Sequence, residues 1–336
     1  MTASAAPVRD DHVTAAPSVM RAATISAPGN TTVTENTRPD PGPGEVRVRL
    51  EGSGVCASSL PVWDGRDWFD YPREPGSPGH EGWGVVDALG AGVTSVSVGQ
   101  RVAALTYHAF AEYDIAAEDA VVPLPDSLAG VAVPGEPLGC AMNILARSAI
   151  EPGQTVAIVG IGFLGALLTR LATDAGARVI AISRRAFALD IARQFGAAEL
   201  VEMDDHQKII DRVKSLTGGE GCERVIEAVG LQWPLDLAGE LTRERGRLII
   251  AGFHQDGPRS VNMFLWNWRG LDVVNAHERD PGVYVQGIRR AVDAMASGLL
   301  DPSPLLTHRY ALDEVDAAFA ATRDRPDGFI KALVTV

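Results

Sequence analysis

Cysteine is scarce in this chain: Cys56, Cys140 and Cys222 are the only three in 336 residues, and no CxxC spacing occurs. An odd, scattered set does not make a disulfide framework, so a reducing cytoplasm is the expected setting. There is also no run of the roughly 18–20 apolar residues needed to cross a membrane. Positive charge is in deficit, with 30 Lys and Arg against 43 Asp and Glu and a formal net charge of −13. That balance argues against a nucleic-acid partner, because a phosphate backbone is held by clustered Lys and Arg. A small-molecule substrate is expected instead. Residues 1–19 mix Ala, Pro, Thr and Ser with Arg9, Asp10, Asp11 and His12. Lacking the apolar core of a signal peptide, they read as a disordered tail.

What is present falls into two textures. From Met20 to about Ala149 the chain is rich in Gly, Val and Pro, with alternating runs such as Glu45–Leu50. Turn signals recur at Pro41–Gly44, Gly52–Gly54, Pro75–Gly76 and Val98–Gln100. Short strands punctuated this closely predict a small, irregular β-barrel. From Thr155 the pattern changes to strand and helix in alternation. Strands are expected at Thr155–Val159, Arg178–Ile182, Arg224–Val229 and Arg247–Ala251, with helices at Leu164–Ala175 and Ala186–Phe195. That alternation predicts an α/β doubly wound parallel sheet, a Rossmann arrangement. An amphipathic helix over Val283–Ser297 and a closing strand over Phe329–Val336 complete the chain. By pattern alone, these last elements fit either domain.

The turn Gly160-Ile161-Gly162-Phe163-Leu164-Gly165 lies between a predicted strand and a predicted helix. The first glycine permits the tight turn, the second lets backbone N–H groups approach a pyrophosphate, and the third lets helix and strand pack closely. A nicotinamide dinucleotide is the expected ligand. At the end of the next strand, an NAD site places Asp or Glu on the ribose 2′-hydroxyl. Here the strand runs into Ser183-Arg184-Arg185, with no carboxylate and two guanidiniums able to meet a 2′-phosphate. NADP(H) is therefore expected over NAD(H).

Gly54-Val-Cys56-Ala-Ser58, Gly79-His80-Glu81, Val98-Gly-Gln-Arg-Val102, Glu136-Pro-Leu138 and the Gly160–Gly165 turn follow one another in this order. In that combination the chain, from Met20 to Val336, resembles the zinc-dependent branch of the medium-chain dehydrogenase/reductase superfamily. The resemblance implies a GroES-like catalytic domain over 20–148, a Rossmann domain over 149–280, and a segment over 281–336 returning to the catalytic domain. It also implies a catalytic zinc held by Cys56, His80 and a third ligand. Glu136 fits the polyol-type position for that ligand, with Cys140, four residues on, as the alternative. Glu81 matches a second carboxylate beside the metal, and Ser58 a proton-relay hydroxyl. The Asp and His that often follow that hydroxyl are here Ser59 and Pro61. Three scattered cysteines cannot build the structural-zinc lobe of many relatives, so one zinc per chain is expected.

The implied activity is hydride transfer between NADP(H) and a secondary alcohol or ketone, with a polyol, sugar or cyclitol favoured. The alternatives are a zinc-free quinone or enoyl reductase of the same superfamily and, more remotely, a non-catalytic NADPH-binding protein. Trp63, Arg66, Trp68 and Tyr71, between two expected zinc ligands, are candidate substrate contacts. Trp83, His108 and the Phe264–Trp268 aromatics are weaker ones, the last being equally suited to joining copies in a homodimer or homotetramer. Cys222 reads as a buried or loop cysteine, and His254 and His277 have no assigned place.

Overall fold

A computed structural model describes residues 18–336. Residues up to 17 of the expected tail lie outside the described residues, and Val19 already opens a strand. The chain begins with an antiparallel hairpin of β1 (Val19–Ala27) and β2 (Asn30–Thr37). A second sheet starts with β3 (Glu45–Gly54), β4 (Gly82–Leu89), β5 (Arg101–Ala104), β6 (Tyr113–Ala117) and β7 (Val121–Pro123). Their pairings are antiparallel, β4 and β6 flanking β3, and β5 following β4. The alternation in β3 has one exception. Val46, Val48 and Leu50 enter the core and Arg49 faces out, but Arg47 is buried as well. A buried charge needs a partner. Arg47 has two, Asp40 and Asp87, each at 2.7 Å.

A short helix, α1 (Leu60–Asp64), follows β3, and α2 (Gly135–Ser148) leads into the second half. There β8 (Thr155–Val159), β9 (Arg178–Ser183), β10 (Glu199–Glu202), β11 (Cys222–Glu227), β12 (Thr242–Ile250) and β13 (Asp272–Asn275) form a parallel sheet in the order β10-β9-β8-β11-β12-β13. Its connecting helices are α3 (Phe163–Asp174), α4 (Ala186–Gln194), α5 (His206–Leu216), α6 (Gln232–Leu241) and α7 (Met263–Trp268). The four expected strands are all present. β8 and β9 are buried on both faces, which explains the apolar runs Val156–Val159 and Val179–Ile182. The strand order reverses between β8 and β11, and ligands of such sheets bind beyond the carboxyl ends of the strands at that switch.

The final segment contributes α8 (Pro281–Ala296), β14 (His308–Ala311), α9 (Val315–Asp324) and β15 (Ala332–Thr335). β15 pairs antiparallel with β3, and β14 lies parallel on β15, so the last strands extend the first half's sheet. α8 packs on α2 where two glycines meet. A Cβ on Gly139 would come within 2.7 Å of Ile288, and one on Gly287 within 2.6 Å of the Gly139 carbonyl oxygen. This close crossing sets what α8 can reach on α2. One apolar core runs through both halves, joining Trp83 and Leu333 to α2, α3 and α8. Among the described residues, no helix is long and apolar enough to cross a membrane.

Candidate metal and cofactor site

Cys56 follows the last residues of β3 in an extended conformation and opens a single helical turn, Ala57–Ser59. His80 and Glu81 immediately precede β4, the neighbour of β3 in the sheet. That pairing brings the three together: one donor atom each from Cys56, His80 and Glu81 lies within 4.8 Å of the others. Donors around a tetrahedral zinc at ~2.0–2.3 Å stand roughly 3–4 Å apart. His80 Nδ1 donates to the Pro78 carbonyl at 3.1 Å. A carbonyl can only accept, so Nδ1 carries a proton, and Nε2 is the nitrogen that a metal would take in place of a proton. The Ser58 hydroxyl donates to Cys56 Sγ at 3.1 Å, which places the expected relay group beside the sulfur.

Glu81 is fully buried. Its Oε1 accepts a 2.6 Å bond from Lys331 Nζ, while Oε2 has no partner. Room for this carboxylate comes from Gly54, since a Cβ there would stand 1.8 Å from Oε2. Lys331, only 5% exposed, enters from the residue before β15 and lies over the Phe163 ring at 5.1 Å. Burial disfavours its charge, but Glu81, then Cys56 and Glu136, more than offset this and raise its pKa. His80 shows the same imbalance. Burial alone would lower its pKa, yet its hydrogen bond to Cys56 and the charges of Cys56, Glu136 and Glu81 push it up to about 10. Negative groups thus outnumber positive ones, and one buried carboxylate oxygen lacks a partner. The donor set fits a divalent cation.

Glu136 lies in the first turn of α2, close enough to act on His80 but outside the compact group. Its Oε1 accepts the Tyr284 hydroxyl of α8 and lies 3.5 Å from Cys140 Sγ, which in turn is 2.8 Å from the Tyr284 oxygen. Burial and Glu136 raise the pKa values of Cys140 and Tyr284, so both stay protonated as donors. The two candidates for third ligand therefore share one hydrogen-bonded cluster rather than competing from separate places. Lys331 and Tyr284 escaped the sequence reading. Lys331 left a trace, as one cation inside the apolar run Phe329–Val336; Tyr284 left none.

At the dinucleotide turn, Gly160 has φ +100, a backbone that side chains other than glycine's rarely adopt. A Cβ on Gly165 would stand 2.0 Å from the Gly160 carbonyl oxygen, whereas one on Gly162 meets nothing within 4 Å. Two glycines close the turn, and the middle one leaves open space for a ligand at the start of α3. Phe163 is buried beneath Lys331, and Leu164 packs against the main core. Ser183 ends β9, buried, its Oγ accepting from the Arg185 N–H at 3.3 Å. Arg185 donates to the carbonyls of Ile161, at 3.4 Å, and Phe329. Arg184 is exposed, with no ion pair among the described residues.

Several expected contacts lie elsewhere. Trp63 is 6% exposed and packed in the core, stacked on Phe319 of α9 at 5.6 Å, with its Nε1 donating to Asp316 at 2.7 Å. It is a packing residue, because α1 turns its apolar face to α9. Tyr71 donates its hydroxyl to the Val62 carbonyl. Trp68 is 62% exposed beside Phe69, and Arg66 is exposed, its charge felt by Asp256 across the cleft. Trp83 belongs to the main core, and Cys222 is fully buried in β11. His108 pairs with Asp114 and Glu74, which raise its pKa to about 9. Phe264 and Trp268, 77% and 78% exposed, stack on each other before the edge strand β13. His254 donates from Nε2 to buried Glu227 at 3.0 Å and accepts at Nδ1 from Arg259 at 2.9 Å. Both ring nitrogens are thus occupied. The residue shapes a loop whose Gln255 donates to the Ala57 carbonyl across the cleft. The ring of His277 lies 5.8 Å from that of Phe253.

Two family models match this arrangement, an alcohol dehydrogenase GroES-like domain over residues 42–126 and a zinc-binding dehydrogenase over 164–293. An alcohol dehydrogenase of Geobacillus stearothermophilus is 33% identical over 253 residues, covering 66% of this chain and 73% of its own. The chain belongs to the zinc-dependent alcohol dehydrogenases. A sorbitol dehydrogenase of Halalkalibacterium halodurans is 26% identical over 91% of this chain and 96% of its own. A putative zinc-binding dehydrogenase of Sinorhizobium meliloti, solved bound to NADP, superposes with a TM-score of 0.82 at 26% identity, over 95% of this chain and all of that one. As a zinc-dependent dehydrogenase of the medium-chain superfamily, the protein is an oxidoreductase with a GroES-like half and a Rossmann half.

Proposed function

We propose that this dehydrogenase moves hydride between NADP(H) and a secondary alcohol or ketone, with a polyol, sugar or cyclitol as the substrate class. The observation that carries the reading is the compact donor group of Cys56, His80 and Glu81 with Glu136 at its edge. When bound there, zinc supplies Lewis-acid polarisation of the substrate oxygen. Cys56 and His80 would hold it, with Glu81 in their compact group and Glu136, at its edge, as the third ligand the family resemblance implies. The chain's own groups do the rest. Ser58 sits where a hydroxyl can take the substrate's proton and pass it on. Lys331 holds Glu81 Oε1 and leaves the buried Oε2 without a partner. Ser183 and the two arginines, with no carboxylate at the end of β9, support NADP(H); Glu136 and the sorbitol dehydrogenase relative support a polyol.

The test combines metal analysis of the purified chain with an initial-rate screen of NADP+ and NAD+ reduction over polyols, sugars, cyclitols and simple secondary alcohols. One zinc per chain and NADP+ turnover with a polyol are expected. A zinc-free chain that reduces quinones or enones and ignores chelators would overturn the reading, and a chain that binds NADPH yet turns over none of these would point to the non-catalytic alternative. The expected homodimer or homotetramer is assigned to the exposed Phe264 and Trp268 face beside β13, a claim that sedimentation of Trp268→Ser would test.

A further inference from the structure

Glu227 is a buried carboxylate that the proposed chemistry does not use. It ends β11, on the crevice side of the parallel sheet, and its side chain has no exposed surface. One oxygen accepts the backbone N–H groups of Val229 at 2.7 Å and Gly230 at 2.8 Å. The other accepts His254 Nε2 at 3.0 Å. Enclosed and bonded at both oxygens, the group is an anchor and not a base for substrate. Gly252 makes room for it, since a Cβ there would stand 2.7 Å from Oε2 and 2.2 Å from the Gly230 nitrogen. The bonds then close on themselves. His254 Nδ1 accepts from Arg259 Nε at 2.9 Å, and Arg259 donates to the Gly230 carbonyl at 2.8 Å and to Asp256. A ring of side chains thus fastens the loop after β12 to the loop after β11. Gln255, next to His254 in the fastened loop, donates from Nε2 to the Ala57 carbonyl across the cleft at 3.3 Å. Ala57 lies in the single turn that joins Cys56 to Ser58. That turn's own bonds run from the Ser59 N–H to the Cys56 carbonyl and from the Leu60 N–H to the Ala57 carbonyl.

We infer that Gln255 is a positioning residue for the Cys56–Ser58 turn, kept in reach by the ring of Glu227, His254 and Arg259. Hydride transfer needs its two carbons at a set separation, one presented from the metal end and the other from the crevice end of the sheet. A bond from the loop after β12 to the turn beside Cys56 registers those ends against each other. A turn of three residues has few bonds of its own, so one outside donor is a large share of what holds it. The ring explains how a surface loop can supply that donor. Phe253, Asp256 and Gly257 face solvent, whereas His254, Gln255 and Arg259 are drawn in. The inference rests on Cys56 and Ser58 as residues of the metal end, and not on the choice of NADP(H) or of a polyol.

Hydrogen exchange over residues 55–60 of the zinc-loaded protein provides the test, together with unfolding midpoints and initial rates on the alcohol found in the screen above. Gln255→Met keeps the length of the side chain and removes the donor, whereas Gln255→Lys supplies an N–H donor again. One neutral hydrogen bond corresponds to about 3- to 10-fold in an equilibrium. Gln255→Met should therefore speed exchange at residues 57–60 and lower kcat by about that factor each, with zinc content and unfolding midpoint unchanged. Gln255→Lys should recover most of both. His254→Gln can still donate to Glu227 and should leave exchange at the turn as it is. His254→Leu should match Gln255→Met there, and the two combined should add nothing further, because both remove the same brace. Unchanged exchange in Gln255→Met, or faster exchange with kcat unmoved, would overturn the inference. So would losses in Gln255→Lys equal to those in Gln255→Met. If the unaltered chain holds no zinc and reduces quinones, the proposed function falls, while exchange at the turn still decides whether Gln255 braces it.

Discussion

The two ends of the cleft are charged in opposite senses, and each is incomplete alone. At the metal end, Cys56, Glu81 and Glu136 surround Lys331 and His80 and raise the pKa of both, His80 to about 10. At the cofactor end, Arg184 and Arg185 follow β9, and among the described residues no carboxylate is bonded to either. The chain as a whole is acidic, so the basic end is a local departure and not a consequence of composition. Each end gathers like charge: a divalent cation would relieve the first, and the 2′-phosphate of the proposed NADP(H) the second.

The metal end should break first and hardest. Cys56→Ser or His80→Gln is expected to release zinc and lower turnover by on the order of a thousandfold or more, since the lost Lewis acid supplies several kcal/mol at the transition state. Plasma mass spectrometry and initial rates would read both losses, and a variant that kept full activity without zinc would erase the comparison. Next is Lys331→Met, which strands the Glu81 carboxylate in the interior. Removing one partner of a buried pair costs about 3–5 kcal/mol, whereas Lys331→Met with Glu81→Gln should recover most of it. Denaturant unfolding of the single and double variants measures this; equal costs for both would show that the pair is not coupled.

At the basic end, Ser183→Asp places a carboxylate where the 2′-phosphate is proposed to lie. The ratio of kcat/KM for NADP+ over NAD+ should fall by about 100-fold, in line with a charged contact turned repulsive. An unmoved ratio would remove the phosphate from this end. The smallest effect is expected from Tyr284→Phe, which leaves Glu136 charged but without its hydroxyl donor. Groups that orient a metal ligand are typically worth 10- to 100-fold in metal affinity, and about 10-fold is expected here from chelator competition. No change would mean that Glu136 is oriented by Cys140 alone.

The same contrast governs what could be read from the residues in order. The Gly160–Gly165 turn lies on six consecutive positions, and its physical demands are local. β8, α3 and β9 duly stand where the apolar runs place them. Cys56, His80 and Glu136 are far apart in sequence and were legible only because a familiar order of motifs links them. Tyr284 was not legible, and Lys331 showed only as one cation in an apolar run. Each arrives through the return of the final segment onto β3 and α2, a packing outcome that no local pattern encodes. Trp63 shows the opposite error. Nearness to Cys56 in sequence suggested nearness to substrate, but Val62 and Trp63 sit on one face of α1, and that face is buried against α9.

The crossing of α2 and α8 at Gly139 and Gly287 has a consequence for how this enzyme can change. Tyr284 lies less than one helical turn before Gly287, and Glu136 less than one before Gly139, so the separation of two backbones sets how the Tyr284 hydroxyl meets that carboxylate. A methyl group at either glycine would widen the crossing and carry Tyr284 off its partner without altering a single polar residue. Variation in substrate preference can therefore accumulate along the loops lining the cleft, while these two small positions act as a fixed gauge to which the polar groups are calibrated.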